Sequence, residues 1–525
     1  MVPRNSARSS AVSENLDIFR VRIANCLANS RCILSPMRYL LALDEGTTSA
    51  RAALYDEEGR RLALETQPVD CRYPRPGWVE QDARQILERQ LDTVKALLTS
   101  RGIKAREIAA IGITNQRETV IVWDRRTGMP LAPAINWQCR RTAEFCTELA
   151  NSPHAQTITS KTGLVIDAYF SGSKIRWILD HVEGVRERAD AGEALFGTVD
   201  SWLIWHLTAG KVHATDITNA SRTMLMNLAT DNWDPELLDI LGIPAAMLPR
   251  IIPSQGIVAE TSAFGGPIPI AGIAGDQQAA LFGQGCFRKG LLKNTYGTGC
   301  FALLHTGGEI PVSKNRLIAT RAASSGDERA YALEGSVFIA GAAVQWLRDE
   351  LQLVDSAEET ESVALSVPDA GGVYCVPAFV GLGAPHWRPQ TRGTITGLTR
   401  GASRAHLVRA TLESIAYQSQ DLFEAMVADS GQPIQELRVD GGAARNNFLM
   451  QFQADLAGCP VIRPEDTETT ALGAAYLAGL ATGAFRSTEQ LAELWKAERT
   501  FEPQMPRSER DRLYSGWKNA VERAG

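Results

Sequence analysis

One plan occurs twice in this chain, once in each half: an apolar strand, a tight turn of glycine and threonine, and a second apolar strand running back. In the first half Tyr39–Asp44 leads through Glu45-Gly46-Thr47-Thr48-Ser49 into Arg51–Asp56. In the second, Leu291–Thr295 leads through Tyr296-Gly297-Thr298-Gly299 into Cys300–Leu304. A lone two-stranded hairpin is marginal in water, so each must recruit further strands and a covering layer. The first finds them nearby. Glu57-Glu58-Gly59-Arg60 is turn chemistry and Arg61–Thr66 reads as a third strand. Asp82 is placed to cap a helix on which Ile86, Leu87, Leu91, Val94 and Leu98 recur at helical spacing. Ile108–Thr114 and Thr119–Trp123 read as strands again. Strand, strand, strand, helix, strand predicts a mixed sheet with an antiparallel edge, not the strict alternation of a dinucleotide-binding fold.

The second half echoes this order. Ala332–Glu334 is expected to lead through Gly335-Ser336 into a helix over Val337–Leu351. Within 407–427, Val408, Leu412, Ile415, Leu422, Phe423 and Met426 share one helical face. Glu436–Val439 is a short strand running into Asp440-Gly441-Gly442-Ala443, and a helix from about Asn446 stops at Gly458, with Pro460 beyond. The echo predicts an α/β chain of two domains with similar plans.

Composition narrows the partners. At ~100–200 residues per domain, 525 residues allow two to four domains. Fifty-four Lys and Arg against sixty Asp and Glu leave a net charge of −6, the wrong balance for nucleic acid and no polybasic membrane signal. No apolar run reaches the ~20 residues that span a bilayer, so no membrane insertion is expected. Nine scattered cysteines without a Cys-x-x-Cys pair argue against a disulfide framework and structural zinc, and fit a reducing cytoplasm. Residues 1–38 are rich in Ser and Arg, with only Glu14 and Asp17 acidic, and read as a disordered extension or as sequence upstream of a working start at Met37. They lack the apolar core of a secretory signal, while their Arg and Ser content is compatible with a transit peptide.

The turns carry the first chemical expectation. A Gly-rich turn between strands can aim several backbone N–H groups at one point, and threonine hydroxyls add donors, a concavity suited to phosphate. Gly46-Thr47-Thr48 and Gly297-Thr298-Gly299 are two such turns; Gly441-Gly442, just before a helix start, is a third. Neither a P-loop nor a strand-to-helix Gly-x-Gly-x-x-Gly is present, so nucleotide binding would follow another design. Asp44, just before the first turn, is placed either to sit near Mg²⁺ or to cap the turn. Gly272-Ile273-Ala274-Gly275-Asp276-Gln277-Gln278 ends the strand Ile268–Ala274 and presents Asp276 there, as a base for an attacking hydroxyl, as a helix cap, or as both. Thr114-Asn115-Gln116-Arg117-Glu118 is a dense polar run between apolar strands, either an exposed turn or a binding edge whose Arg117 and Glu118 suit a polyol. Trp137 stands beside Gln138, with Arg140 and Arg141 following.

From about residue 39 onward these motifs closely resemble the FGGY family of carbohydrate kinases. The resemblance rests on Leu41-Ala42-Leu43-Asp44-Glu45-Gly46-Thr47-Thr48-Ser49, Pro76-Gly77-Trp78-Val79-Glu80, Ile111-Gly112-Ile113-Thr114-Asn115-Gln116-Arg117-Glu118-Thr119 and Trp137-Gln138-Cys139-Arg140-Arg141-Thr142 in the first half. Tyr169-Phe170-Ser171-Gly172 and Gly275-Asp276-Gln277-Gln278-Ala279-Ala280 continue it. Asn294-Thr295-Tyr296-Gly297-Thr298-Gly299-Cys300-Phe301, Phe379-Val380-Gly381-Leu382-Gly383-Ala384-Pro385 and Val439-Asp440-Gly441-Gly442-Ala443 carry it through the second half.

The resemblance implies two actin-like, ribonuclease-H-like domains, 39–285 and 286–525, with the active site in the cleft between them. It implies transfer of the ATP γ-phosphoryl group to the terminal hydroxyl of glycerol, with Mg²⁺, by a homo-oligomer of two or four chains. Position by position, it makes Asp276 the general base. Arg117, Glu118, Tyr169, Asp276 and Gln277 become the polar clamp on the hydroxyls, and Trp137 and Phe301 the apolar wall. It sets Asp44 near Mg²⁺, Thr47, Thr48, Ser49, Arg51, Thr298 and Gly299 at the phosphates, and Gln345, Gly442, Ala443 and Asn446 around the nucleotide. A kinase of another small polyol or a ketopentose, such as erythritol or xylulose, is the nearest alternative; a non-catalytic actin-like ATPase is the alternative of another class. The chain departs from the family pattern at Glu45, where Gln is usual, at Asn136, where an aliphatic residue is usual, at Ala168 for Pro, and at His386 for an aromatic. Phe264-Gly265-Gly266-Pro267-Ile268 lacks the Arg with which some bacterial members bind a sugar bisphosphate inhibitor, so that control is expected to be weak or absent.

Overall fold

Both glycine–threonine turns close true hairpins in a computed structural model that describes residues 38–326, 328–388 and 390–525. The expectations for the N-terminal extension lie outside the described residues. Tyr39–Glu45 (β1) pairs antiparallel with Ser49–Tyr55 (β2), which pairs antiparallel with Arg61–Pro68 (β3). Helix α1, Ala83–Arg101, starts on Asp82, whose side chain accepts from the Arg84 N–H, and stops at Gly102 in the left-handed conformation. Ile108–Asn115 (β4) runs parallel to β1, with Asp44 opposite Thr114. Gln255–Thr261 (β5) and Ile268–Gly275 (β6) complete a six-stranded sheet of order β5-β6-β4-β1-β2-β3.

The second sheet repeats that plan. Leu291–Tyr296 (β7) pairs antiparallel with Cys300–Gly307 (β8), and Ile318–Arg321 (β9) and Tyr331–Val337 (β10) extend that side. Glu436–Asp440 (β11) runs parallel to β7, as β4 runs to β1, and Val461–Pro464 (β12) and Ala497–Phe501 (β13) follow. The order is β9-β10-β8-β7-β11-β12-β13.

Two expectations are corrected. Val337 does not begin a helix: Ser336 and Val337 pair with Phe301 and Cys300. A β-branched residue with a ladder partner stays extended, and the helix runs only from Gly341 to Asp349. The segment expected as the strand Thr119–Trp123 is Ile121–Asp124, and it pairs with Ala194–Gly197 instead of joining the main sheet.

Alternation along β1 sorts the cores. Leu41 and Leu43 join a cluster with Ile86, Val94 and Leu97 of α1. Leu40 and Ala42 face the other way, onto Ala474, Ala475, Leu477 and Ala478. Those four belong to a helix far along the chain, Thr469–Thr482, which lies on the first sheet beside the helix Asp276–Gly283. Small residues let the backbones touch. A Cβ on Gly473 would stand 1.9 Å from the Ala279 carbonyl oxygen, and one on Gly283 would stand 2.0 Å from that of Thr469. Gly473→Ala is therefore expected to lower stability by about 1–3 kcal/mol, as overpacking does; an unchanged unfolding midpoint would remove the close crossing. Over the second sheet, Arg404–Ser430 contributes Leu412, Ile415, Leu422, Phe423 and Met426 to the core. Among the described residues no helix is long and apolar enough to cross a membrane, and the seven cysteines are free thiols.

Candidate active site

Parallel pairing of β4 and β6 brings Gly275 opposite Asn115, so the residues just past both strand ends meet. Helix α2, Asp276–Gly283, starts on Asp276, and the Arg117 Nε stands 3.2 Å from the Asp276 Oδ1. Gly275 makes room for this: a Cβ there would lie 2.7 Å from the Arg117 Cγ. Arg117 is buried, and its fork donates to Glu334 Oε2 at 2.5 Å and Oε1 at 2.8 Å, to Gln278 Oε1 at 3.2 Å and to the Tyr169 hydroxyl at 3.3 Å. Arg222, equally buried, donates to Glu118 Oε1 at 2.6 Å and to Glu334 Oε1 at 3.1 Å. Two buried guanidinium groups persist because carboxylates from both halves of the chain pair with them. Burial alone would raise the Glu334 carboxyl; Arg117 and Arg222 outweigh it and hold it at about 2.

The Asp276 side chain keeps 29% of its surface exposed. Its surroundings still desolvate it enough to push its carboxyl above the usual range, with Arg117 opposing and Glu118 adding to the rise. Its Oδ1 also accepts the Gln277 N–H at 2.7 Å, so a place in the first helical turn and partial exposure coexist. Arg117 links it to a set of aromatic rings through the Tyr169 hydroxyl: the Trp137 ring centroid lies 5.6 Å from that of Tyr169 and 6.4 Å from that of Phe301, edge to face in both cases. The Tyr169 loop is held from behind by Lys174, buried on the helix Ser171–His181, whose Nζ donates to the carbonyls of Ala168 and Tyr169. Burial brings that ammonium down to about 8.

Trp137 is tied to the first turn. Its indole N–H donates to Thr47 Oγ1 at 2.8 Å, and its backbone N–H to Thr119 Oγ1 at 3.2 Å. Behind lies a buried amide cluster. Gln81 Nε2 donates to the Thr47 carbonyl at 2.8 Å and Gln116 Nε2 to that of Gly46 at 3.2 Å. Asn136 Nδ2 bridges the side-chain oxygens of Gln81 and Gln116. The departure at Asn136 thus turns away from the aromatic rings and into the support of the first turn. Val69 N–H takes the Thr48 carbonyl, and Gly46 N–H closes on Ser49, so the acceptors of the turn are spent on the protein. Its remaining donors suit an anion.

The second turn is built the same way. Gly297 N–H donates to Gly299 O at 2.9 Å, and the N–H groups of Ala340 and Ala342 both donate to Thr298 O. Gly341 N–H donates to Gly297 O, and a Cβ on Gly341 would stand 2.6 Å from that oxygen. The helix Gly341–Asp349, which carries the exposed Gln345, therefore begins on the turn. Thr295 lies opposite Asp440, which brings Gly441, at φ 86°, onto the backbone of Tyr296. The exposed Gly442 and half-buried Ala443 follow. Asn446 caps the helix Asn447–Ala457, accepting from Leu449 N–H and donating to Thr360, so its amide is engaged within the protein.

Arg51 donates to Glu468 at 2.9 Å and stands 3.8 Å from Asp44. Asp44 is buried, which pushes its carboxyl up to about 7 against the pull of Arg51. No group of three or more His, Cys, Asp or Glu among the described residues forms a cage for a metal. Mg²⁺ bound with phosphates needs only one or two carboxylates, and a buried carboxyl beside the first turn, its counter-ion 3.8 Å away, fits that use.

Sequence reasoning gave no site role to Arg222, Glu334, Lys293, Gln81 or Gly341, and took Gln116 only as part of the polar run Thr114–Glu118. Lys293 had a visible signal, a charged residue inside an apolar strand.

The FGGY family of carbohydrate kinases matches through its N-terminal domain model over residues 39–283 and its C-terminal domain model over 292–482. A glycerol kinase of Symbiobacterium thermophilum is 59% identical over 488 residues, covering 93% of this chain and 98% of its own. Glycerol kinase 2 of Thermotoga maritima is 58% identical over 490 residues, covering 93% and 99%. Among solved structures, Plasmodium falciparum glycerol kinase with ADP superposes with a TM-score of 0.88 at 36% identity, covering 93% of this chain and 98% of that one. A xylulose kinase of Lactobacillus acidophilus shares the fold, with a TM-score of 0.83 at 23% identity over 92% and 97% of the two chains.

Proposed function

This chain belongs to the FGGY family of carbohydrate kinases, and we propose the reaction and residue roles that follow from that membership and from the site. The enzyme transfers the γ-phosphoryl group of ATP to the terminal hydroxyl of glycerol, giving sn-glycerol 3-phosphate and ADP. High identity to glycerol kinases over nearly the whole chain supports the substrate. The observation that carries the chemistry is the partly exposed Asp276 carboxyl, steadied at 3.2 Å by Arg117, whose fork also reaches Tyr169 of the ring set Trp137, Tyr169 and Phe301.

The hydroxyl oxygen forms the new bond to phosphorus, the bond from phosphorus to the bridging oxygen of ADP breaks, and the hydroxyl proton passes to Asp276. An elevated carboxyl pKa makes Asp276 the stronger base, and Arg117 favours its ionised form. The aromatic wall packs against the carbon backbone of glycerol; Arg117, Glu118, Tyr169 and Gln277 complete the clamp. Leaving such buried partners unpaired is how the site rejects analogues lacking a hydroxyl. Thr47, Thr48, Ser49, Arg51, Thr298 and Gly299 orient phosphates, while Gln345, Gly442, Ala443 and Asn446 border the nucleotide. Asp44 would hold Mg²⁺, which supplies neutralisation of phosphate charge when bound. The enzyme works in the cytoplasm, a reading favoured by the free cysteines, as a dimer or tetramer, with domains 39–285 and 286–525.

A coupled ADP-release assay across glycerol, erythritol, xylitol and xylulose tests this. Glycerol is expected to give the highest kcat/KM; turnover with another polyol and none with glycerol would overturn the substrate. Phe301→Ala is expected to raise the glycerol KM roughly tenfold, more than it lowers kcat, because apolar contact is lost in ground and transition states alike. An unchanged KM would take Phe301 out of the wall.

A further inference from the structure

Lys293 carries a charge into the floor of this site, and no role above uses it. It lies on β7 with its side chain fully buried. Its Nζ donates to Gln277 Oε1, to Thr295 Oγ1 at 2.8 Å and to the Phe301 carbonyl at 3.3 Å. An ammonium has three N–H donors and accepts nothing, so these three contacts use it completely. Burial pushes its pKa down, while the nearby acids Asp440, Asp276 and Glu334 favour the charged form.

The consequence falls on Gln277. Its amide oxygen is turned to the Lys293 Nζ, which leaves the NH₂ as the end that faces a ligand. Its neighbour Asp276, acting as the base, offers only acceptors. A hydroxyl placed between the two must accept from Gln277 and donate its single proton to Asp276. With the amide flipped, the Gln277 oxygen would compete for that proton.

We propose that Lys293 is a positioning residue that locks the Gln277 amide with its donors toward the substrate, so that the reacting hydroxyl directs its proton to Asp276. This rests on the function proposed above. The same ammonium holds the Phe301 carbonyl, which ties the orientation of the polar clamp to the placement of the aromatic wall.

Steady-state kinetics with glycerol and ATP test it on the full chain. Lys293→Met is expected to lower glycerol kcat/KM by roughly tenfold or more, the worth of a hydrogen bond to a charged group, while the ATP KM moves less than about twofold. In a Gln277→Ala background the same change is expected to cost less than about threefold, because the two act as one unit. Gln277→Glu leaves the ammonium an acceptor but removes the donors; its thermal midpoint is expected to be no lower than that of the wild type, with glycerol kcat/KM down roughly tenfold or more. Unchanged glycerol kinetics in Lys293→Met, an equal loss in the Gln277→Ala background, or wild-type glycerol kinetics in Gln277→Glu would each overturn the proposal. If Lys293→Met does not fold, Gln277→Glu decides alone. If the wild-type enzyme prefers another polyol, the functional reading fails and the same variants are compared on that polyol.

Discussion

Asp276→Asn is expected to bind glycerol and ATP much as the wild type does and to turn over ~10²–10⁴-fold more slowly, the usual worth of a general base. The substitution is nearly isosteric, and an asparagine Oδ1 can still accept from the Gln277 N–H, the hydrogen bond that fixes the carboxylate now, while giving up its charge toward the Arg117 Nε. What it cannot do is take the proton. Ligand binding measured by calorimetry, alongside turnover by ADP release, separates the two effects. Near-normal turnover would remove Asp276 from the role, and lost glycerol binding would make it a binding group instead.

Glu334→Gln is expected to destabilise the fold by about 3–5 kcal/mol, because it leaves two buried guanidinium groups with only Glu118 and the partly exposed Asp276 for counter-charge. The titration argues a similar size. Glu334 sits at about 2 in the folded protein against an ordinary 4.5, a gap worth about 3 kcal/mol. Because the folded-state value is depressed, this contribution is fully present above about 4.5 and is lost as pH falls through about 2. Chemical unfolding at neutral pH checks the first expectation. A pH series checks the second: the variant should lose part of the acid sensitivity of the wild type below about pH 4.5. Equal midpoints at neutral pH would show that the two arginines do not depend on Glu334.

Much of this was legible because it is local. The runs that became β1, β2, β4, β6, β7 and β8 are apolar and short, all but β4 lie next to a glycine turn, and Asp82 and Gly102 mark the ends of the helix Ala83–Arg101. Asp276 and the two turns declare themselves at strand ends, where functional groups of such sheets gather. What stayed hidden depends on pairing across the chain. Ile121–Asp124 reads as a strand, but nothing local says that its partner is Ala194–Gly197. Glu334 ends an expected strand and Arg222 sits in an unremarkable Ser-Arg-Thr stretch; only folding shows that they share a buried ion-pair cluster. Gln81, Gln116 and Asn136 are likewise ordinary polar residues until the backbone converges them behind Thr47.

The helix Thr469–Thr482 has a consequence for how this chain must be made. It supplies one covering layer of the first sheet, yet it is synthesised only after almost all of the second has been. A nascent chain emerging from the ribosome would carry Leu40, Ala42, Ala110, Ala271 and Ala274 uncovered until then. A product truncated before this helix would keep that face wet and sticky, a hazard of partly folded intermediates, so neither half is a fragment to express by cutting the gene at its midpoint.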